Sequence, residues 1–409
     1  MCATRASFRL AALVAVVLSD GAARADVLDV DRLPAELRAP AADVARVWKD
    51  RPDDPSVLYQ VAALYARAGR ARDAMRVLER MERTGAGLNP RPRDGFASLA
   101  GDPALESLLR RIRRRHPPVL RARVAHRLAE ADLVSEGIAW SQRTGELYLG
   151  SAKRKIVAVA PDGRVRDLVR PGADGLGALL GLRVDDARGE LWAVSEEIDQ
   201  PLPGAVIGVF RFHLPDGKLL RAYPVEQGTR WMLNDLAVGP DGSVYVTASD
   251  SGALLRVDRD SGAVDEFLPA GSLPDPNGVA LSADRRALYV AGWYTITRVD
   301  LATRERASLT KPRGVADGCF DGLYVHRGDL IGVQNCVHQP GRVMRLHLSR
   351  DGRRVLRATV LESSNPLFDG VTTGAVAGDR FYFAANSQFR KVKTGERFDP
   401  VTILVLSLR

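Results

Sequence analysis

A six-fold recurrence dominates most of the 409-residue chain. Each unit opens with a polar residue, usually followed by glycine, then runs through an alternating apolar strand, an Asp/Gly or Ser/Gly turn and a second apolar strand. The six starts are Glu136-Gly137, Gly181-Leu182, Asn234-Asp235, Asn277-Gly278, Asp321-Gly322 and Asp369-Gly370. They are spaced by about 43 to 53 residues, the period of a four-stranded propeller blade. The third unit reads LAVGPDG, SVYVTAS, ALLRVDRDSG and AVDEFL in succession, its Asp-Gly and Ser-Gly pairs supplying the positive-φ residue that tight hairpins need. A β-sandwich also alternates strands and turns, but it does not call for six spacings so regular. The expectation is an all-β six-bladed β-propeller over residues 119–409, with segment 119–133 adding an outer strand beside 401–408 to close the ring.

The residues before the propeller follow a different period. From Asp54 to Met81 the apolar side chains fall at helical spacing (Leu58, Val61, Ala62, Tyr65, then Ala74, Leu78, Met81), with Gly69 in the turn between two helices. This pair resembles one tetratricopeptide repeat, and a single repeat cannot cover its own apolar face. Phe96, Leu99, Leu105, Leu108 and Leu109 are therefore expected in a capping helix, and Pro117-Pro118 ends the helical segment, set at 26–116. The exposed face of the pair is left with two uses: packing on the propeller, or a groove for a protein partner.

At the start of the chain, Arg5 and Arg9 precede an apolar run from Leu10 to Leu18 and the small-residue site Ala23-Arg24-Ala25. That is the layout of a secretory signal peptide over residues 1–25, which places the mature protein in the periplasm or outside the cell. No later segment reaches the roughly 20 apolar residues of a membrane span. The net charge of +9 is spread along the chain apart from the run Arg110–Arg115, read as a solvated helix end. With aromatic residues at only 6%, the base-stacking platforms of a nucleic-acid binder are missing, and no nucleic-acid partner is expected.

In a propeller the innermost strand of every blade lines the central channel, so in-phase residues converge on the axis. Here they are Glu136, Asn234, Asn277, Asp321 and Asp369, all oxygen donors. Calcium takes six to eight oxygens from carboxylates, carbonyls and water, and such a ring supplies part of that set. Histidine and cysteine are absent from it, which sets zinc second to calcium. For any one such residue, Asp and Asn capping loop backbone is the alternative.

At these positions the sequence resembles the senescence marker protein/gluconolactonase family, through SEGIAW at Glu136, MLNDLAVGPDGSVYVT at Asn234, DPNGVALSADRRALYV at Asn277 and FDGLYVHRGDL at Asp321. The resemblance implies one divalent ion held by Glu136, Asn277 and Asp321, with Asn234 as a fourth ligand or a substrate-orienting neighbour. It also implies a lactonase in which a metal-activated water attacks a lactone carbonyl, with Asp321 as base. Asp369 and His338 complete the candidate substrate contacts. A non-catalytic propeller that binds a ligand or a protein is the second reading. No Gly-x-Ser-x-Gly elbow is present, which argues against a serine hydrolase.

Three further expectations concern the loops. Glu196 and Asp199 are read as solvated loop carboxylates. His326, near Arg327-Gly328, is expected at the surface. Cys319 and Cys336 are equidistant from that turn, which places them nearly opposite each other on paired strands and predicts a disulfide beside Asp321.

Overall fold

The computed structural model describes residues 30, 33–92, 95–130, 133–197, 202–225, 231–338 and 340–409; the expected signal peptide and Asp199 lie outside them. Among these residues the β structure falls into six four-stranded antiparallel sheets. The innermost strands are Ser135–Trp140, Ala178–Asp185, Leu233–Val238, Val279–Leu281, Phe320–His326 and Gly374–Ala377. In the sixth blade the outermost strand is Arg123–Arg127, paired antiparallel with Thr402–Ser407 in the register Val124↔Leu404, so the two ends of the propeller close one sheet. Closure of this kind removes the free edges that an open sheet would present.

The polar–glycine repeat has a steric cause. A Cβ on Gly137 would stand 1.9 Å from the carbonyl oxygen of Leu180 in the next blade, and one on Gly278 would stand 2.5 Å from that of Asp321. In the first and fourth blades the inner strands converge so closely that no side chain fits at the second position of the pair. The first position falls in a break of the pairing register, seen between Ser135 and Ile138, Leu233 and Leu236, and Phe320 and Leu323. Such a break re-aims a side chain that a regular ladder would send into the sheet.

By the same criterion two blade starts are shifted from expectation. In the second blade the break spans Leu179 to Leu182, which puts Leu180-Gly181 in phase, one residue earlier than the sequence suggested. In the sixth, the Gly322 N–H donates to Thr372 O (3.1 Å) and Thr373 Oγ1 donates to Glu136 O, so Thr372-Thr373 closes the ring. Asp369-Gly370 does not.

Between blades the cores are aliphatic and aromatic. The seam of the first two holds Ile156, Leu179, Leu182, Phe210 and Phe212, all fully buried, each stabilising the fold by roughly 1.5–3 kcal/mol.

Four helices precede the propeller: α1 (Ala35–Asp50), α2 (Pro55–Arg67), α3 (Ala71–Arg83) and α4 (Pro103–Arg115). Asp54 caps α2 by accepting from Ser56 N (2.9 Å), with Pro55 in the first turn, where its missing N–H costs nothing. Gly69, at φ 72°, makes the turn into α3. The capping helix starts at Pro103, with Phe96 and Leu99 in the short turn before it. Helix α1 was not expected; Pro40 within it obscures its period. The core of this cap takes in Tyr294, Ala316, Cys319 and Val337 of the propeller. The face of α2 that could have offered a groove is thereby filled by loops of the fourth and fifth blades. No helix among the described residues is long and apolar enough to cross a membrane.

Candidate functional site

Glu136, Asn277 and Asp321 meet at one mouth of the channel, Glu136 and Asp321 at the register breaks of the first and fifth blades and Asn277 just before the inner strand of the fourth, where its N–H donates to Ala291 O (2.8 Å). Asp321 accepts from Asn335 Nδ2 (2.5 Å) and from the Asn277 amide, while Asn335 is anchored on Val371 O (2.9 Å). Burial pushes the Asp321 carboxyl up to about 7, against the pull of those two amides. Glu136 is pushed well above the usual carboxylate range, by burial first and then by the charges of Asp321 and Asp235. Asn234 sits beside them and donates from Nδ2 to Ser249 Oγ (3.1 Å), which donates in turn to Pro276 O (2.7 Å). Its amide nitrogen is thus committed and its carbonyl oxygen remains for a ligand.

Three oxygens at this mouth are buried without a hydrogen-bond partner: Glu136 Oε2, Asn277 Oδ1 and Thr372 Oγ1. Buried polar atoms are nearly always paired, so three orphaned acceptors on one ring are an unfinished site. Among the described residues no three His, Cys, Asp or Glu side chains converge as a metal site; the donors here are two carboxylates completed by amide and hydroxyl oxygens. That all-oxygen set fits a hard divalent cation such as calcium.

One layer deeper lies a pair that the sequence did not reveal. Arg183 Nη2 donates to Asp235 Oδ2 at 2.7 Å, and its guanidinium lies 4.8 Å from the centre of the Tyr324 ring. Asp235 also accepts from Leu236 N (2.8 Å) and Val279 N (3.2 Å). This group closes the channel beneath the site. Beyond it a chamber of about 300 Å³, lined by Trp140, Arg183, Leu281 and Val325, opens at the opposite end. No sequence signal joined Arg183 to Asp235, because the partners come from different blades.

Two expected substrate contacts are elsewhere. Asp369 lies outside the ring, its side chain 42% exposed and 3.7 Å from Lys391 Nζ; the Asp-Gly pair belongs to the loop before the blade. Counting back from the hairpin at Gly378 by the interval that separates Asp321 from Arg327 finds Thr372 instead. His338 is buried in the seam with the cap, with Nδ1 2.9 Å from Gly87 O and Nε2 3.5 Å from Ser364 Oγ, and so does not face the channel. Burial and the nearby Arg342 push its imidazole down to about 3.

Glu196 and His326 also depart from expectation, whereas the expected disulfide is present. Glu196 is buried and accepts from Leu233 N (2.8 Å), fixing the strand that carries Asn234. His326 is buried beside Asp379 (3.0 Å). Cys319 and Cys336 form a disulfide, with Cα atoms 5.7 Å apart. Both lie just past the ends of paired strands whose last partners are Phe320 and Gln334. The bridge sits under α2, where Gln60 Nε2 is 3.7 Å from Cys319 Sγ.

A closed six-bladed propeller with a carboxylate and amide pocket at one mouth of its channel is the class that fold and site define. The chain belongs to the SMP-30/gluconolactonase/LRE-like family, whose model matches residues 134–374. Solved structures similar to it include a gluconolactonase from Xanthomonas campestris, 20% identical, covering 71% of this chain and 97% of that one with a TM-score of 0.49. A luciferin-regenerating enzyme is 16% identical, covering 71% and 95% with a TM-score of 0.48. Virginiamycin B lyase from Staphylococcus aureus is 17% identical, covering 63% and 79% with a TM-score of 0.46. No curated protein sequence matches the chain.

Proposed function

We propose that this protein is an exported, metal-dependent hydrolase that opens a lactone ring. The observation that supports it best is the mouth itself: two carboxylates, the buried Glu136 and the half-buried Asp321, stand beside orphaned oxygens of Glu136 and Asn277. The nearest guanidinium, that of Arg183, is bound to Asp235. Membership of the gluconolactonase-like family supports the substrate class.

Glu136, Asn277 and Asp321 would hold a divalent ion, calcium before zinc, with the Asn234 carbonyl oxygen as the fourth protein ligand. Such an ion, when bound, polarises an ester carbonyl and acidifies water. Asp321 takes the proton from the attacking water, and Asn335 holds the carboxylate in place. The water oxygen bonds to the carbonyl carbon, the ring C–O bond breaks, and the proton passes to the departing alkoxide, giving a hydroxy acid. Thr372 lines the space where the substrate lies and orients it. The second reading, a docking cap for a protein partner, is disfavoured by the filled face of α2.

The test is turnover of a lactone panel by the purified protein, before and after chelation. The reading requires hydrolysis that chelator abolishes and calcium or zinc restores. Hydrolysis indifferent to chelator, or none across the panel, would overturn it.

A further inference from the structure

A segment of the sixth blade crosses the mouth. The chain leaves that blade at Ala384 and returns at Thr402, with a short helix, Phe389–Thr394, between. Phe389 packs into the hydrophobic cluster of the second and third blades, together with Leu180, Leu233, Trp231 and Met232. In a six-bladed ring the third blade lies opposite the sixth. Four residues from Ala385 to Phe389 span about 14 Å at full extension, too short a tether to travel around the rim. The strap therefore passes over the channel.

The two limbs of the strap are tied to each other, and Phe398 touches the first blade. Gln388, 1% exposed, donates from Nε2 to Asp399 O (2.8 Å) and accepts from Asp399 N (2.7 Å). Lys391 binds the side chains of Gln388 and Asp399, and the Lys153 ammonium lies 5.2 Å from the Phe398 ring. On the other side the cap buries the loops of the fourth and fifth blades.

The two roofs leave the mouth chemically asymmetric. The fourth and fifth blades present Asn277 and Asp321. The second presents Leu180, an in-phase position without a polar atom, and Phe389 of the strap packs against the hydrophobic cluster to which Leu180 belongs. A polyhydroxylated ring seated between these walls would press several hydroxyls against hydrocarbon, and each hydroxyl buried without a partner is costly.

We propose that Leu180 and Phe389 form an apolar subsite selecting lactones that carry an aliphatic chain over polyhydroxylated sugar lactones. The ester sits on the Glu136, Asn277 and Asp321 side, and the chain lies under the strap. For the reaction itself this rests on the hydrolase reading above; the apolar wall stands without it.

Two series of ligands test it on the purified full-length mature protein: γ- and δ-lactones with alkyl chains of increasing length beside glucono-δ-lactone, and the matching lactams, which bind without turning over. The expected kcat/KM rises about fourfold per methylene over the first few carbons and exceeds that of glucono-δ-lactone. Phe389→Ala and Leu180→Thr both flatten the rise, and Phe389→Leu retains part of it, which separates loss of an apolar wall from misfolding. Preference for glucono-δ-lactone, or a rise unaltered in Phe389→Ala, would overturn the subsite while leaving the hydrolase reading intact. Chain-length-dependent lactam binding without any lactone turnover would support the subsite and overturn the hydrolase. Neither binding nor turnover would overturn both.

Discussion

Asp321 at the mouth, half-buried, and Asp235 one layer below, fully buried, are both carboxylates on innermost strands, but their surroundings differ in kind. Asp235 has an arginine at 2.7 Å and two backbone N–H donors, and its partners bridge three blades. Among the described residues Asp321 has amide donors alone, with Glu136 beside it and no cation in contact. A buried charge that is fully paired holds a fold together, whereas one left uncompensated costs free energy that a ligand can recover. The lower layer is built to be complete and the upper to be completed.

The largest effect that separates the layers is on turnover. Asp321→Ala or Asn277→Ala is expected to lower lactone hydrolysis by on the order of 10² to 10⁴, measured by steady-state kinetics with the metal in excess. Next comes stability: Arg183→Met leaves Asp235 buried and unpaired and should cost about 3–5 kcal/mol in denaturant unfolding. In chelated protein, Asp321→Asn should instead raise the melting temperature, because it removes a carboxylate that burial disfavours. If both substitutions shifted stability in the same direction, the distinction between the layers would be lost.

The Cys319–Cys336 bridge and the cap seam refine the comparison on one flank of the mouth. Reducing the bridge is expected to cost about 2–4 kcal/mol, and mass measurement of alkylated native protein should find no free thiol at either position. Two alkylatable thiols would refute the bridge. A smaller, pH-dependent effect comes from His338, whose folded-state value is pushed down to about 3 while the unfolded chain titrates at the ordinary 6.5. As pH falls below 6.5 the unfolded state takes up the proton first. Stability present above that pH then declines, by at most about 1.4 kcal/mol per pH unit, towards pH 3. His338→Gln should flatten this limb in unfolding measured between pH 7 and 5.

The blades were legible because crowding at the axis writes itself into the sequence. Glu136, Asn277 and Asp321 each precede a glycine that the neighbouring strand makes obligatory. Thr372 was missed for the same reason, since Thr373 follows it and the hydroxyl of Thr373 bonds to Glu136 O where a glycine would have left only space. An Asp-Gly pair three residues upstream drew the reading to Asp369. Arg183 and Asp235 stand in different blades, so only the closed ring brings them together. His338 read as a mouth residue because nothing local to it records the carbonyl of Gly87, supplied by the cap. Phe389 was invisible because what gives it meaning is the path of the strap.

Elemental analysis of the purified protein, wild type beside Asp321→Ala, is the sharpest test of an ion site at the mouth. One divalent ion per wild-type chain is expected after equilibration with calcium and zinc, and none retained by Asp321→Ala. A wild-type protein that binds neither ion, or a variant that keeps its ion, would contradict it.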